Sequence, residues 1–189
     1  KINNRKLLTA IGEYAGVLHY SRGPEMLADL YRSIDKFDKI GAEGVREELV
    51  TRGIPADVVT RIMELVTARN PGLEQLDFLD DVLSNLPTAK EAIRELRELS
   101  DHLGDAGVSL QNYEFDFTMV RGLGYYTGPI FETIITEPNL GSVTGGGRYD
   151  DLVGLFRGES VPTVGTSLGI ERIIDLMDIL NLYPANIGG

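Results

Sequence analysis

The sequence predicts an α+β fold in which a helical first half is followed by an antiparallel β-sheet. Up to about residue 106, apolar side chains recur every three or four residues, which is the spacing of one helical face. From about residue 107, apolar and polar side chains alternate, as they do in half-buried strands. Short connections between the predicted strands favour antiparallel pairing. The sequence lacks the strand–helix–strand alternation of a Rossmann fold.

The helical half, residues 9–106, is predicted to form a small bundle of four to six helices. The apolar face of its last helix is marked by four residues: Ile93, Leu96, Leu99 and Leu103. Its polar face carries two pairs of opposite charge at four-residue spacing, Arg94 with Glu98 and Arg97 with Asp101. We expect both pairs to lie on the exposed side of this helix.

Four strands and a closing helix are predicted in the second half. The first strand is indicated by the alternation of Tyr113, Phe115, Phe117 and Met119 with Glu114, Asp116 and Thr118. The other strands are predicted over residues 130–136, 141–146 and 161–168, and the helix over residues 169–180. The first residues of the chain, KIN, are predicted to be the end of a strand already under way, so we expect the chain to be a piece of a longer protein.

The composition argues against several classes of protein. The chain has 189 residues, a net charge of −11 and a pI of about 4.6, which disfavours a nucleic-acid platform made by this segment alone. There is no cysteine, and His19 and His102 are the two histidines, so neither disulfides nor a histidine-built zinc site is expected. No apolar run approaches the roughly 20 residues of a membrane span, and no signal peptide is visible. A cytoplasmic setting fits these features best.

Two glycine-rich segments indicate a pocket for a small ligand that bears an anionic group. They are RGLGYYTG at residues 121–128 and GGGRYDDLV at residues 145–153. Glycine allows a ligand close to the backbone, Arg121 offers a planar fork for carboxylate or phosphate, and tyrosine combines an apolar ring with a polar tip. The alternative is that the tyrosines pack in the core or at a sheet edge, and that the glycines form a bulge or a tight bend. For Asp150, a structural role as a helix cap or an arginine partner is favoured.

A third segment, VGTSLGIERI at residues 164–173, contains a strand that leads into a helix opening at Gly169. Arg172 lies in the first turn of this helix, where the helix dipole disfavours a cation, so an anionic partner is indicated. No pairing of a nucleophile with a base is apparent in the sequence. This favours chemistry by positioning and charge stabilisation over covalent catalysis.

These segments together resemble histidyl-tRNA synthetases. RGLGYYTGPIFE and GGGRYDDLVGLF are similar to the histidine-binding signatures of that family, and VGTSLGIERI resembles motif 3 of class II aminoacyl-tRNA synthetases. KINNRKLL at residues 1–8 and SIDKFDKIG at residues 33–41 also match family segments, so the resemblance covers nearly the whole chain. The resemblance implies four parts. Residues 1–8 would be a strand end from the catalytic core, and residues 9–106 a helical insertion domain. Residues 107–182 would be the C-terminal part of a class II catalytic domain with its antiparallel sheet, and residues 183–189 the start of a linker.

The resemblance also implies an activity. The family activates histidine with Mg-ATP to give histidyl-adenylate and pyrophosphate, and then transfers histidine to tRNA(His); its members are cytoplasmic homodimers. Arg121 would be catalytic, bridging the histidine carboxylate and the ATP α-phosphate. The implied histidine-binding residues are Arg121, Tyr125, Tyr126, Tyr149, Gly145 and Gly146. The implied ATP-binding residues are Arg121, Arg172 and Gly169, with Mg²⁺ entering as part of the ATP substrate and no prosthetic group.

The sequence departs from the family pattern in several places. Gly124 stands where the family often has aspartate, and Asp151 where glycine is common. Motif 1, motif 2 and the anticodon-binding domain are not found in the sequence, so we expect the isolated piece to be inactive. Two alternatives are a histidine-sensing paralogue, such as the regulatory subunit of ATP phosphoribosyltransferase, and a synthetase-like domain of a kinase that binds uncharged tRNA. The presence of both Arg121 and Arg172 favours the synthetase.

Overall fold

A computed structural model describes residues 1–120, 124–184 and 186. The helices of this part are α1 Arg5–Tyr14, α2 Gly23–Ile34, α3 Phe37–Thr51, α4 Ala56–Val66, α5 Glu74–Val82, α6 Pro87–Asp105, α7 Asp150–Arg157 and α8 Ile170–Leu180. The strands are β1 Ile2–Asn4, β2 Pro129–Ile135, β3 Gly141–Arg148 and β4 Val164–Leu168. Two short 3₁₀ helices, Val17–His19 and Leu110–Asn112, complete the regular structure of the described residues.

The four strands form one sheet in the order β1-β2-β3-β4, and each neighbouring pair is antiparallel. The predicted α+β fold with an antiparallel sheet is therefore confirmed. The strand end predicted at the start of the chain is β1, which pairs Ile2 with Phe131 of β2. Since β3 pairs with β2 along one edge and β4 along the other, its glycine-rich second half lies inside the sheet.

The strand predicted around residues 113–119 is wrong. Phe115 makes a single isolated parallel bridge to Ile2, and the rest of the segment is irregular. Residues 115–120 are all buried, including the polar side chains of Asp116 and Thr118. The carboxylate of Asp116 lies 2.8 Å from the Lys1 ammonium and accepts hydrogen bonds from Thr118. Asp116 and Thr118 are thus satisfied by protein groups and do not mark a solvent-facing side of a strand, whereas Glu114 is exposed.

The helical half agrees with the prediction, with α1 to α6 lying between residues 5 and 105. The predicted pair of Arg94 and Glu98 is confirmed at 3.2 Å. The predicted pair of Arg97 and Asp101 is wrong, because Arg97 Nη2 contacts Asp77 Oδ1 of α5 at 2.6 Å. The packing of α5 beside α6 supplies this partner, which spacing along one helix does not reveal.

Helix α6 connects the helical half to the sheet, because it packs against α1, β1 and β2. One continuous apolar core contains residues from the helices together with Ile2, Phe115 and Phe117. Phe117, at the centre of the irregular segment, is fully buried. The predicted domain boundary at residue 106 is not tested by these contacts and stays a prediction.

The elements α7, β4 and α8 carry exposed apolar side chains. Leu155 and Phe156 of α7 are 80% and 88% exposed, and α8 has no buried residue. None of the described helices is both long enough and apolar enough to cross a membrane. Within the described residues, β4 is paired along one edge, to β3.

Candidate ligand-binding site

Tyr125, Tyr126 and Tyr149 form a compact group that we call the tyrosine cluster. The ring centroids of Tyr125 and Tyr126 are 4.4 Å apart, and each lies 6.2 Å from the ring of Tyr149. Tyr125 and Tyr126 precede β2, whereas Tyr149 follows β3, so the pairing of these strands brings the three rings together. No described residue hydrogen-bonds the hydroxyl groups of Tyr125 and Tyr149. The cluster thus combines apolar ring surface with phenolic hydroxyl groups, which suits a ligand that has both apolar and polar parts.

A pair of glycines on adjacent strands makes room for the tyrosine cluster. Gly147 of β3 pairs with Gly165 of β4. A Cβ atom on Gly147 would lie 2.9 Å from the ring of Tyr126, and one on Gly165 would overlap the hydroxyl group of Tyr149. These two positions were not among the predicted site residues. Their signal in the sequence is the two-residue period of a strand, which places Gly147 and Gly145 on one face and Gly146 on the other.

Gly145 and Gly146, predicted to lie beneath a ligand, are buried inside the sheet. The carbonyl of Gly145 accepts a hydrogen bond from the Ser167 hydroxyl at 3.1 Å. A Cβ atom on Gly146 would lie 2.9 Å from the ring of Phe131 and would overlap the backbone of Gly165. Close strand packing therefore requires glycine at position 146, and its contribution to ligand binding stays a prediction.

Arg148 and Asp150 flank Tyr149 and bind each other through three contacts, two of which meet at Asp150 Oδ2. Arg148 Nε donates to Asp150 Oδ2 at 2.8 Å, and Arg148 Nη2 lies 2.8 Å from the same oxygen. The hydrogen bond from Arg148 is the main cause that lowers the pKa of the Asp150 carboxyl, and the same bond raises the pKa of Arg148. The structural role predicted for Asp150, as a partner of an arginine, is what the geometry shows.

Gly169 and Arg172, the predicted ATP-binding residues of α8, are both tied to the first half of β3. The amide of Gly169 donates to the carbonyl of Val143 at 2.8 Å. Arg172, which is exposed, donates to the carbonyl of Ser142. In this structure the guanidinium of Arg172 therefore binds a backbone carbonyl, whereas the sequence indicated that its partner would be an anion. Its role towards a phosphate stays a prediction.

The tyrosine cluster and the pair of Gly169 and Arg172 lie towards opposite ends of β3. Val143, which holds Gly169, is four residues from Gly147, which lies against Tyr126. At about 3.3 Å per residue, this separates the two places by roughly 13 Å along the strand. Such a span suits two ligands, or two ends of one extended ligand, held along a single strand.

Arg121, the predicted catalytic residue, lies outside the described residues. Gly124, which follows it closely, has a φ of +84°, a conformation in which glycine is favoured. No described atom lies within 4 Å of the position that a Cβ atom would take there. The departure from aspartate at this position is therefore matched by a backbone that suits glycine.

The fold and site define an α+β domain with an antiparallel sheet, and known proteins are similar to this chain in sequence. A family model described as histidyl-tRNA synthetase matches residues 24–173. Histidine–tRNA ligase of Aeropyrum pernix is 43% identical over 187 residues, which is 99% of this chain and 40% of that protein. Histidine–tRNA ligase of Flavobacterium johnsoniae is 36% identical, over 99% of this chain and 38% of that protein. The chain belongs to the histidyl-tRNA synthetase family, and it spans about 40% of the length of these relatives.

Solved structures agree with this assignment. The crystal structure of histidyl-tRNA synthetase from Nostoc sp. PCC 7120 matches 97% of this chain and 42% of that chain, with a TM-score of 0.83 and 32% identity. A Bacillus halodurans protein described as an ATP phosphoribosyltransferase regulatory subunit/histidyl-tRNA synthetase matches with a TM-score of 0.74 and 22% identity. The second likeness shows a shared fold. The predicted family resemblance and fold class are confirmed by these matches.

Proposed function

We propose that this chain forms the histidine-binding part, and one side of the ATP-binding part, of a histidine–tRNA ligase. The complete protein would convert histidine and Mg-ATP to histidyl-adenylate and pyrophosphate, and would then transfer histidine to tRNA(His). The observation that carries the proposal is the tyrosine cluster, assembled over Gly147 and Gly165 in a chain of the histidyl-tRNA synthetase family. A cytoplasmic homodimer is the expected form of the complete protein.

In this proposal the two ends of β3 hold the two substrates. The tyrosine cluster encloses the histidine side chain, and a tyrosine hydroxyl binds an imidazole nitrogen. Gly169 and Arg172 lie at the ATP end, where the arginine would exchange its carbonyl partner for a phosphate. Arg121 would link the histidine carboxylate to the ATP α-phosphate, where charge builds up during in-line attack. Mg²⁺ arrives with ATP, and among the described residues no cluster of three or more acidic, histidine or cysteine side chains could hold a metal ion.

We expect Tyr149→Phe in the complete protein to raise the KM for histidine about tenfold in histidine-dependent ATP–pyrophosphate exchange, because one hydrogen bond to the ligand is lost. The matched control is Tyr113→Phe. The Tyr113 hydroxyl binds Ser100 at 2.8 Å, away from the tyrosine cluster, so its loss should leave both substrate KM values unchanged. An equal KM for histidine in wild type and Tyr149→Phe would remove this hydroxyl from the proposed pocket.

The same assay separates the ligase from a histidine-sensing paralogue such as a regulatory subunit. A ligase exchanges pyrophosphate into ATP when histidine is present and does not when other amino acids replace it. Calorimetric binding of histidine by the folded complete protein, without any exchange, would reject the ligase and favour the sensor. We expect the isolated 189-residue chain to show no exchange, because it spans about 40% of the relatives' length.

We expect Gly165→Ala to weaken histidine binding at least tenfold, because the new Cβ atom would overlap the Tyr149 hydroxyl and lie 2.9 Å from Cε1 of the same ring. The ring must then leave its place beside Tyr125 and Tyr126. The control is Gly104→Ala on α6, where no described atom lies within 4 Å of the new Cβ. That change should leave histidine affinity intact and stabilise the helix slightly. Calorimetric titration with histidine measures both variants, and unchanged affinity in Gly165→Ala would contradict the proposed position of the ligand.

A further inference from the structure

Three charged side chains join α6 to the strand end that carries Tyr149, and we call them the ionic clamp: Glu95, Arg148 and Asp150. Arg148 Nε donates to both carboxylate oxygens of Asp150, at 3.0 and 2.8 Å. Arg148 Nη1 also lies 3.8 Å from Glu95 Oε1. One guanidinium thus contacts a carboxylate on α6 and a carboxylate at the start of α7.

Glu95 is a fixed anchor, because its carboxylate is buried and fully engaged. Its side chain is 8% exposed. One carboxylate oxygen accepts a hydrogen bond from Asn4 Nδ2 at 2.8 Å, and the other contacts Lys6 Nζ at 2.7 Å. These two contacts hold the carboxylate of Glu95 in one place.

A glycine next to the tyrosine cluster leaves space for the stem of Arg148. A Cβ atom on Gly128 would lie 3.1 Å from Cδ of Arg148 and 3.4 Å from Oε2 of Glu95. Gly128 is buried and follows Tyr125 and Tyr126 by a few residues. The segment that carries these two tyrosines therefore passes close to the clamp, with no room for a larger side chain at position 128 unless Arg148 shifts.

Hydrogen bonds connect Asp150 and Arg148 of the clamp to the segments on both sides of Tyr149. Asp150 Oδ1 accepts from the amide of Thr163 at 3.0 Å, and the carbonyl of Thr163 accepts from the amide of Tyr149 at 2.8 Å. On the other side, the amide of Thr127 donates to the carbonyl of Arg148 at 2.9 Å, and the Thr127 hydroxyl accepts from the amide of Asp150 at 3.1 Å. Tyr149 is thus held between the strand that carries Gly165 and the segment that carries Tyr126.

We propose that the ionic clamp of Glu95, Arg148 and Asp150 is a positioning device that fixes Tyr149 against the other two tyrosines and thereby sets the affinity for the amino-acid substrate. The inference rests on the proposed function. Arg148 and Asp150 are positioning residues, since they act through the backbone of Tyr149. Glu95 acts from α6, so the affinity of the pocket depends on how this helix sits against the sheet.

The test measures KM for histidine and for ATP separately in pyrophosphate exchange by the complete protein. We expect Asp150→Asn to raise the KM for histidine about tenfold while the KM for ATP changes less than twofold. Glu95→Gln should raise the KM for histidine about threefold, since its contact with Arg148 is longer. Because both carboxylates act through one guanidinium, the double variant should show less than the product of the two effects. Arg148→Met should raise the KM for histidine as much as Asp150→Asn does. Arg148→Lys should raise it less, because the lysine keeps the positive charge.

The matched control is Glu91→Gln, one turn before Glu95 on the same helix. Glu91 contacts Lys6 at 2.8 Å and its side chain is 53% exposed, so its change should leave the KM for histidine unaltered. Equal rises in the two KM values, or no rise in a folded Asp150→Asn protein, would overturn the clamp. If Asp150→Asn fails to fold, the same two KM values are measured for Arg148→Lys and Arg148→Met. No rise in the KM for histidine, or an equal rise in both KM values, would again overturn the clamp. A wild-type protein without histidine-dependent exchange would reject the proposed function itself, whereas normal wild-type exchange with unaltered variants rejects the clamp alone.

Discussion

Arg121→Ala is expected to lower the rate of histidyl-adenylate formation by the complete protein by about 10²–10³-fold, with a much smaller loss of histidine affinity. In the proposed function the guanidinium meets negative charge that grows on the phosphoryl oxygens during the reaction, and removal of one such donor typically has this effect on kcat. Arg121→Lys should recover little of the rate, because an ammonium group lacks the planar fork that would span a carboxylate and a phosphate.

Single-turnover formation of adenylate and calorimetric binding of histidine measure the two effects separately. The control is Arg157→Ala at the end of α7, where the arginine is exposed and forms no ion pair among the described residues. We expect that variant to match the wild type in both measurements. Equal losses of rate and of histidine affinity in Arg121→Ala would mean that the arginine binds the ground state and does not act in the transition state.

The sequence predicted the elements whose partners are local or apolar. The helical spacing of Ile93, Leu96 and Leu99 predicted the buried face of α6, where Ile93 and Leu96 are at most 2% exposed. The three β-rich segments after residue 128 became β2, β3 and β4 because their residue patterns are local signals; a short loop joins β2 to β3, whereas α7 lies between β3 and β4. The family resemblance supplied the three tyrosines as a group, which no local signal could have done.

The features that the sequence did not predict depend on tertiary partners. The two-residue period of a strand places Gly147 and Gly146 on opposite faces, but which of them faces the tyrosine cluster and which faces Phe131 depends on the strand register. The sequence suggested an arginine as the partner of Asp150, but Glu95, the second partner of Arg148, lies 53 positions earlier on a different element. The ionic clamp therefore becomes visible only when α6 is packed against the sheet.

The strand predicted around residues 113–119 was wrong for a related reason. The residue that explains the difference is Asp116, which the prediction placed on an exposed face. Its side chain is 4% exposed, and its carboxylate lies 2.8 Å from Lys1 Nζ and 3.3 Å from Arg69 Nη2. Burial by itself would raise the pKa of Asp116, but hydrogen bonds from Lys1 and Thr118, together with the charge of Lys1, outweigh burial and lower the pKa. Asp116 thus stays ionised in the core and holds the segment that leads towards Arg121.

We expect Asp116→Ala to destabilise the complete protein by about 3 kcal/mol at pH 7, because it leaves the ammonium of Lys1, whose side chain is 14% exposed, without its counter-charge. Since the pKa is lower in the folded state, the carboxylate contributes stability at pH values above its unfolded pKa, and this contribution is lost as the pH falls through the folded pKa. The free energy of unfolding in urea should therefore differ from wild type by a constant amount between pH 7 and pH 5, and the difference should shrink below about pH 4.

The control is Asp105→Ala at the end of α6. Asp105 is exposed and forms no ion pair among the described residues, so the stability of this variant should match the wild type throughout. A difference between Asp116→Ala and wild type that stayed constant down to pH 3 would mean that Asp116 contributes through packing and not through its charge.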